Sequence, residues 1–563
     1  MKRALLSCLL LPLLLLAGCP GDDDDGKQPG PQPVSPAVVL GPAAGGSADA
    51  DGGTAVPLTI TGSISFERLP VTATGLGATP TVTPAAGVVV EAVAHNNYNN
   101  VLAATNADVA GAYSLSFAPT VDYYIRARAE AGAAGNLDRV YHSQAVPPIV
   151  HAASSTVQKR ALGNQAVNVL ASSALPENRA GAFAVLDTVA RLRAQVAAAY
   201  PTLGHLDVFW GPGNAGTRWL TDGAGQPVTL ATTTGLNGPN LRPSIYLVGG
   251  SAADLAGSDH DEFDETVIGH EWASFVQLTR SRDNNFGGPH AGEELLYTAA
   301  YSEGVVTALG CALLTQRVYR DTAGYPGATT SLAFELDCES GTVPGTGVGY
   351  GNEFEVTRAV WDLLDGAAGN PTDSDTDPAT VTMTGFLASF EDLSTRAAPY
   401  QVAWLASLLQ QLVDDGLLST VNANTVMVAQ GAAFPPAGGP DPFPAELIVG
   451  AGATAGSLSA YSGTDPNPVL GPQANGVWRL VLAAPATVTI TLDNQAAGYS
   501  AAAHRLDLTV HDLNRSIVGA DTGTLQDKAV NLNLAAGTYL VRVQHLPASS
   551  AASTSTPFTI QVS

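Results

Sequence analysis

The sequence predicts a multidomain protein in which two β-sandwiches flank a central α+β domain. The chain has 563 residues, which is several times the ~100–200 residues of one domain. Near both ends, apolar and polar residues alternate in short runs, as they do in half-buried strands. Between these regions the apolar residues recur every three or four positions, as they do in amphipathic helices.

The composition is apolar and acidic. Hydrophobic residues make up 45% of the chain, and 25 Lys and Arg residues stand against 50 Asp and Glu residues, for a net charge of −25. Nucleic acids and anionic membranes are bound largely through Lys and Arg side chains. The composition therefore excludes a nucleic-acid partner and argues against binding of the folded surface to an acidic bilayer.

The N-terminus carries an export signal. Lys2 and Arg3 precede an apolar run over residues 4–17, which is shorter than the ~20 residues that span a membrane. Residues 16–19 read Leu-Ala-Gly-Cys and resemble the lipobox of bacterial lipoproteins. The resemblance implies a lipoprotein signal peptide over residues 1–19 and a lipid on Cys19, so that the membrane is contacted through this lipid only. An ordinary signal peptide with a chance cysteine is the alternative.

Residues 20–56 are predicted to form a disordered linker. They hold an Asp run at residues 22–25 and are otherwise mostly Pro, Gly, Ala and Ser, so they cannot bury a core. Pro20 follows Cys19, whereas Asp at this position retains lipoproteins in the inner membrane of some bacteria. The expected location is therefore the cell envelope of a Gram-negative bacterium, at the outer membrane.

The two flanking regions each resemble a known accessory module. Residues 57–150 contain Thr-Asn-Ala-Asp at 105–108 and Gly-Ala-Tyr-Ser-Leu at 111–115, an order that resembles a carboxypeptidase-regulatory-like β-sandwich. Residues 445–563 contain Gly-Thr-Tyr-Leu-Val-Arg-Val at 537–543, which resembles the bacterial pre-peptidase C-terminal domain, a jelly-roll β-sandwich. Both resemblances imply modules without chemistry of their own.

The central region, residues 160–440, is where the sequence predicts any chemistry. Helical stripes run through residues 177–200 and 404–413, and strands are predicted at 206–210 and 244–248. Residues 261–276 are expected to form a helix, because acidic residues crowd its first turn, where they suit the helix dipole. Zinc peptidases place His-Glu-x-x-His on such a helix, since positions i and i+4 share one face. Here the motif has His270 and Glu271, but Ser274 stands at the second His position.

The order of motifs after this helix carries a wider resemblance. A loop at residues 281–290 ends in Gly-Gly-Pro-His, a second helix contains Tyr-Ser-Glu-Gly at 301–304, and the segment at residues 354–365 holds Trp-Asp-Leu at 361–363. This succession over residues 205–366 resembles bacterial lipoproteins with a gluzincin-type metallopeptidase domain, which are zinc hydrolases. The resemblance implies His270 as first zinc ligand, Glu271 as general base and Glu303 as third ligand.

The missing second histidine leaves the function open. Ser274 is a poor zinc ligand, because a neutral hydroxyl binds zinc far less well than an imidazole does. Either a water could bridge Ser274 to the metal, or His290 could serve as substitute ligand. We therefore weigh a pseudoenzyme with an impaired zinc site, which binds peptide or protein along an edge strand such as residues 244–248. The alternatives are an active zinc endopeptidase that uses His270, Glu303 and His290, and an adhesive surface lipoprotein.

Three further sequence features were weighed. Cys311 and Cys338 are the cysteines left beyond the signal, and in an oxidising compartment such a pair is expected to form a disulfide. Residues 258–262 read Ser-Asp-His-Asp-Glu, which suggests a metal site or a triad but fits a helix N-cap with an acidic first turn. No Gly-x-Ser-x-Gly elbow and no phosphate-binding loop occur, which argues against a serine hydrolase or a nucleotide-binding enzyme.

Overall fold

The computed structural model describes most of the chain beyond the N-terminal segment. The described residues are 55, 57–133, 136–142, 149–213, 217–221, 227–229, 233–237, 242–250, 252–287, 290, 294–340, 348–366, 380–397, 400–436, 439, 441–443, 445–459, 472–497, 499–514, 516–546 and 555–563. The predicted signal peptide, the lipidation site Cys19 and nearly all of the linker lie outside these residues. Among the described residues, no helix has both the length and the apolarity needed to cross a bilayer.

The N-terminal region is built of short strands, as the alternating pattern predicts. They are β1 (Leu58–Arg68), β2 (Val71–Thr72), β3 (Gly75–Leu76), β4 (Thr81–Pro84), β5 (Val88–Ala94), β6 (Val101–Asn106), β7 (Ala112–Phe117), β8 (Tyr123–Ala133), β9 (Asn136–His142), β10 (Ala152–Ser154), β11 (Gln165–Ala166) and β12 (Val169–Ala171). One sheet is centred on β1, which pairs with β4, β7, β11 and β12. Its inward residues Ile60, Ile64 and Phe66 are fully buried.

The second sheet does not stop at the boundary predicted near residues 150–160. It runs β6–β5–β8–β9 and continues through β13 (Asp207–Trp210) and β17 (Arg242–Tyr246) to β16 (Thr233–Asn237). Strand β13 pairs in parallel with both β9 and β17, while β16 is antiparallel to β17. A single hydrophobic core includes residues from Leu58 to Leu540. The N-terminal sandwich and the central region therefore share a sheet and a core.

The central helices lie close to the predicted positions. They are α1 (Arg179–Val196), α2 (Glu265–Arg280), α3 (Tyr297–Leu314), α4 (Glu353–Leu364), α5 (Met383–Asp392), α6 (Leu405–Asp414) and α7 (Thr420–Ala429). Two hairpins accompany them, made of β14 (Thr217–Thr221) with β15 (Pro227–Thr229) and of β18 (Val318–Ala323) with β19 (Ser331–Asp337). The predicted helices that carry His270 and Glu303 are α2 and α3, although α2 begins at Glu265 and not at residue 261. Trp361 lies on α4, which was not predicted as a helix.

Glycines let these three helices approach one another closely. A Cβ atom on Gly310 of α3 would lie 2.5 Å from the backbone carbon of Gly269 of α2. A Cβ on Gly304 of α3 would lie 2.4 Å from the carbonyl oxygen of Glu353 at the start of α4. Real Cβ atoms do not come this near to backbone atoms. The absence of side chains at these positions therefore allows the backbones of α2, α3 and α4 to meet around one point.

The C-terminal region is a β-sandwich with its own core. Its elements are β20 (Glu446–Leu447), β21 (Thr454–Ser459), β22 (Asn475–Leu482), β23 (Ala486–Asn494), α8 (Ala501–His504), β24 (Leu506–His511), β25 (Ile517–Asp521), β26 (Lys528–Leu534), β27 (Gly537–His545) and β28 (Ser555–Val562). One sheet has the order β20-β22-β27-β24-β25 and the other β21-β28-β23-β26. Trp478 of the first sheet meets Phe558 of the second edge to face across the core. The protein is thus multidomain and largely β, as predicted.

Candidate metal centre

The centre begins with His270, midway along α2. The residue is buried, and its Nδ1 lies 2.8 Å from the hydroxyl oxygen of Thr307 on α3. That hydroxyl donates its hydrogen to the carbonyl oxygen of Glu303, 2.8 Å away. It can therefore only accept from His270, so the imidazole carries its hydrogen on Nδ1. A neutral His270 is left with a lone pair on Nε2.

His290 reaches the same place from the loop between α2 and α3. Its Nδ1 lies 2.5 Å from Oε2 of Glu353, the first residue of α4. A carboxylate can only accept, so Nδ1 donates and Nε2 of a neutral imidazole keeps its lone pair. A carboxylate bound to the far nitrogen is the usual support of a metal-ligating histidine. His290 therefore has the orientation of a ligand, with its Nε2 turned towards Glu303 on α3.

Glu303 on α3 is the side chain on which the two histidines converge. Its Oε2 lies 3.4 Å from Nε2 of His270 and 3.5 Å from Nε2 of His290. Its other oxygen, Oε1, accepts a hydrogen bond of 2.6 Å from the amide of Asn285. Asn285 is itself fixed, because its backbone NH donates to Asp283 at 2.8 Å. The carboxylate is thus oriented with one oxygen held by the protein and the other facing both histidines.

The loop that brings Asn285 and His290 here is anchored at its start by a buried arginine. Arg282 donates from Nη2 to the carbonyl oxygen of Ser394 at 2.6 Å and from Nη1 to that of Arg396 at 3.1 Å. It also donates to the carbonyl of Gln401. Asn284 adds a link to the C-terminal sandwich, since its amide donates to the carbonyl of Leu513 at 2.9 Å. These bonds hold the loop against the helices that follow.

Each histidine is spaced from Glu303 as two zinc ligands are, but among the described residues the ligand atoms of His270, His290 and Glu303 do not all lie within 4.8 Å of one another. Zinc with bonds of ~2.0–2.2 Å holds its ligand atoms about 3.3–3.6 Å apart, and two histidines with one glutamate form a known catalytic ligand set. The two distances to Glu303 Oε2, 3.4 and 3.5 Å, fall within this range. The side chains of His270, His290 and Glu303 keep 7%, 11% and 16% of their surface exposed.

The carboxylates around His270 dominate its electrostatics. Burial lowers the pKa of His270, but the hydrogen bond to Glu303 and the negative charge of Glu271 raise it by more, and the net effect is a pKa above the ordinary value. The charge of His290 acts in the opposite direction. Glu271 is buried next to His270 on α2. The site thus attracts a cation, which suits a metal ion as well as a proton.

Ser274 occupies the position predicted from the motif, one turn after His270 on α2, and is half-buried. The second imidazole in contact with Glu303 belongs to His290 of the loop. Of the two ways in which a metal site could be completed without a histidine at position 274, the geometry favours substitution by His290. The roles of His270, Glu271, Ser274, His290 and Glu303 stay predictions.

Three residues that support the centre were missed by the sequence reasoning. They are Thr307, Asn285 and Glu353, which bind His270, Glu303 and His290 respectively. Thr307 lies one turn after Glu303 on α3, so the i, i+4 spacing was a usable signal. For Glu353 no signal exists in the sequence, because its contact with His290 depends on how α4 packs.

The segment Ser258–Glu262 lies before α2, whose N-cap is Asp264, so its interpretation as the helix N-cap is wrong. Ser258 Oγ lies 3.2 Å from His260 Nε2, and His260 Nδ1 lies 3.0 Å from Glu262 Oε1. This order resembles a catalytic triad, but the side chains of His260 and Glu262 have no exposed surface. The amide of Asn178 also donates to Glu262 at 2.7 Å. We interpret these hydrogen bonds as structural and not as a catalytic triad.

A second group of side chains could hold a metal ion. It consists of four carboxylates, here called the Asp cluster: Asp259, Asp261, Asp264 and Asp321. Each offers one oxygen atom, and these atoms all lie within 4.8 Å of one another. Asp259 and Asp261 belong to the segment of residues 258–262, which the sequence suggests as a metal site but which fits a helix N-cap. Asp321 lies on β18, and nothing in the sequence connects it with that segment.

Cys311 and Cys338 are both buried and are free thiols in the structure. They belong to one small apolar cluster with Trp361 and Tyr319. A hydrogen bond with Cys338 and burial raise the pKa of the Cys311 thiol well above its usual range. The two side chains are therefore in contact, and the disulfide stays a prediction for the exported protein.

Comparison with known proteins finds distant structural neighbours and no family. No family model matches the chain, and no curated protein matches it. The chain is similar to the pre-peptidase C-terminal domain of a collagenase from Bacillus anthracis, with 13% identity and a TM-score of 0.16, over 22% of this chain and 96% of that one. This neighbour is of the family predicted for residues 445–563.

Two other structures are similar over comparable lengths. One is PliG, a periplasmic inhibitor of g-type lysozyme from Aeromonas hydrophila, with 18% identity and a TM-score of 0.15, over 21% of this chain and 94% of that one. The other is a 9R-lipoxygenase from Cyanothece, with 10% identity and a TM-score of 0.13, over 26% of this chain and 25% of that one. Likenesses at these scores carry no argument about function.

Proposed function

We propose that this protein is a zinc metallopeptidase of the gluzincin type in which His290 replaces the second motif histidine. One observation carries the proposal: the Nε2 atoms of His270 and His290 both face the same oxygen of Glu303 at 3.4 and 3.5 Å. Each imidazole is held from its Nδ1 side by a different group. A group that holds the Nδ1 side of the imidazole is the usual support of a metal-ligating histidine.

In peptide hydrolysis each of these residues would have a separate role. Zinc held by His270, His290 and Glu303 would supply a Lewis acid that polarises a peptide carbonyl and lowers the pKa of water. Glu271 would accept the proton of the attacking water and pass it to the leaving amine. Asn285 and Glu353 would keep Glu303 and His290 in place during this transfer.

A peptide would lie along the end of the large sheet. The prediction that residues 244–248 form an edge strand is wrong, because β17 is paired with β13 on one side and with β16 on the other. In the part of the sheet that is described, β16 is the terminal strand. Its free backbone groups offer pairing to an extended peptide, and it packs near α2, the helix of His270. We place the substrate along β16.

We further propose that the enzyme is tethered in the cell envelope. The lipobox-like residues 16–19 support a lipid on Cys19, and the composition of residues 20–56 supports a flexible spacer. The flanking modules, proposed as carboxypeptidase-regulatory-like and pre-peptidase C-terminal-like, would accompany the catalytic region. The outer membrane of a Gram-negative bacterium is the proposed location.

The test measures zinc content and casein hydrolysis of the full-length protein after zinc loading and dialysis. We expect close to one zinc per chain and hydrolysis that is abolished in Glu271→Gln with zinc retained. His290→Ala should lose most of the zinc, whereas Ser274→Ala, its matched control, should keep both zinc and activity. Loss of zinc in Ser274→Ala and its retention in His290→Ala would contradict the proposed ligand set.

Ser274 itself favours a second candidate, a pseudoenzyme that binds peptide or protein without efficient hydrolysis. It stands where the motif requires a histidine, and a lost ligand is a common route to a lost reaction. Zinc absent from the wild-type protein but bound by Ser274→His, together with peptide binding without turnover, would select this candidate. Binding to glycan or protein surfaces that survives every change at the centre would instead indicate an adhesive lipoprotein.

A further inference from the structure

The Asp cluster brings together acidic side chains from two distant parts of the chain. Asp259 and Asp261 lie in the turns before α2, Asp264 is the N-cap of that helix, and Asp321 lies on β18. Asp261, Asp264 and Asp321 are 1%, 0% and 7% exposed, and Asp259 is half-buried. Four carboxylates out of water and this close to one another repel strongly unless a cation or protons neutralise them.

Some of the oxygens in this cluster have partners in the protein and some do not. Asp264 accepts from the backbone NH of Thr322 at 2.7 Å and from its hydroxyl at 2.9 Å, and Asp261 accepts from the NH of Val248 at 3.2 Å. In contrast, Oδ1 of Asp321 and Oδ1 of Asp259 are buried without a hydrogen-bond partner. Asp321 is more than nine-tenths buried, and buried oxygen atoms of carboxylates are rarely left without a partner.

We infer that the Asp cluster binds a calcium ion and thereby fastens the start of α2 to the hairpin of β18 and β19. The donors are all carboxylate oxygens, and a site made of these alone suits hard cations better than zinc. Calcium takes 6–8 oxygens at 2.3–2.6 Å, so its ligands lie up to about 5.2 Å apart. The span of 4.8 Å is within this limit. Magnesium keeps most of its waters and uses one or two carboxylates, so four buried carboxylates favour calcium.

Electrostatics agree with this geometry. The pKa values of Asp261, Asp264 and Asp321 are raised, first by burial and then by the charges of the other carboxylates, and burial raises that of Asp259 to about 6. A divalent cation would remove this penalty and allow the carboxylates to ionise. Without it, the cluster destabilises the folded state at neutral pH.

Calcium here would act on the position of α2 and not on the reaction. Besides the cluster, the turn before α2 is joined to the hairpin by an antiparallel bridge between Asp259 and Ala323, and by a hydrogen bond of 2.9 Å from the NH of Gly324 to the carbonyl of Ser258. His270 lies six residues beyond Asp264, about 9 Å along the helix at ~1.5 Å per residue. The calcium site is therefore distinct from the centre at His270.

The test is a calcium titration of the full-length protein after removal of metal with EDTA, followed by thermal unfolding. We expect saturable stabilisation with one bound calcium per chain and much less stabilisation by magnesium at equal concentration. Asp321→Asn should weaken calcium binding at least about tenfold, because the charge of the ligands sets calcium affinity. It should also stabilise the metal-free protein, because it removes one of the repelling charges.

The controls separate this site from other acidic residues and from the zinc centre. Glu335→Gln changes an exposed carboxylate on the same hairpin, paired with Arg320, and should respond to calcium as the wild type does. So should His290→Ala, since the site does not depend on zinc. No calcium response in the wild type, an equal response in Asp321→Asn, or equal stabilisation by magnesium would overturn the inference.

Discussion

Replacing Glu353 with Gln should weaken zinc binding while leaving the three proposed ligands in the protein. Glu353 is buried at 3% exposure, and its Oε2 is the acceptor for Nδ1 of His290. With Gln the acceptor keeps its shape but loses its charge. His290 would then be less basic and less firmly held, so its Nε2 would bind zinc more weakly.

The structure sets the size of this effect. Removing the partner of a ligating histidine costs ~10–100-fold in metal affinity, or about 1.4–2.7 kcal/mol. A hydrogen bond to a charged group is worth ~1.5–3 kcal/mol and about twice a neutral one. Gln retains a neutral acceptor, so about half of the interaction survives. We therefore expect a loss near the lower limit, about tenfold.

The assay is competition for zinc against a chelator of known affinity, with the wild type and both variants measured side by side. The matched control is Glu355→Gln. Both residues are acidic residues of the first turn of α4, so each substitution removes a similar interaction with the helix dipole. Glu355 lies two residues beyond the group that holds His290, and its variant should bind zinc within about twofold of the wild type, the usual reach of surface changes.

The result that would refute the reasoning is a zinc affinity of Glu353→Gln equal to that of Glu355→Gln. In that case His290 would not need its carboxylate partner, and the case for His290 as a ligand would lose its structural support. Unfolding in urea, measured on the same samples, shows whether a loss of affinity comes from a loss of fold.

Three further predictions concern the packing of α2 against α3, a buried histidine and the two cysteines. Gly310→Ala should lower the free energy of unfolding, measured in urea, by about 1–3 kcal/mol, because its Cβ would lie 2.5 Å from the backbone of Gly269. The control is Gly204→Ala, whose Cβ would have no atom within 4 Å, and its free energy of unfolding should stay close to that of the wild type. Burial and the charge of His142 lower the pKa of His151 to about 3. Below about pH 6.5 the unfolded state therefore binds a proton that the folded state does not bind, and the free energy of unfolding should fall as the pH drops from there towards 3. NMR should find the His151 ring neutral at pH 5, and a protonated ring at that pH would contradict the prediction. Protein isolated from the cell envelope should show no reaction of Cys311 and Cys338 with a thiol reagent even when denatured, if the predicted disulfide has formed, whereas two reactive thiols in the denatured protein would exclude it.

Much of the local structure was predictable, because it depends on neighbouring residues. The helices α1 and α6 follow from apolar spacing, α2 follows from acidic residues near its start, and the flanking strands follow from alternation. Pairing between strands was not predictable. The large sheet joins β9, from the region predicted as residues 57–150, to β13 of the region predicted as 160–440. Nothing in either strand specifies its partner, since backbone hydrogen bonds form between any two strands brought side by side.

The sequence by itself determined the composition, the β-rich ends and the helix that carries His270 and Glu271, and it predicts an export signal. It also predicts Glu303 and His290 as candidate zinc ligands. Only the tertiary structure decided that the second imidazole facing Glu303 is His290 and that Asp321 joins the acids before α2. The physical reason is that ligand sets are defined by distances of a few ångströms in space. Such distances depend on how helices and hairpins pack, here on the glycine contacts between α2, α3 and α4. They cannot be read from the order of residues along the chain.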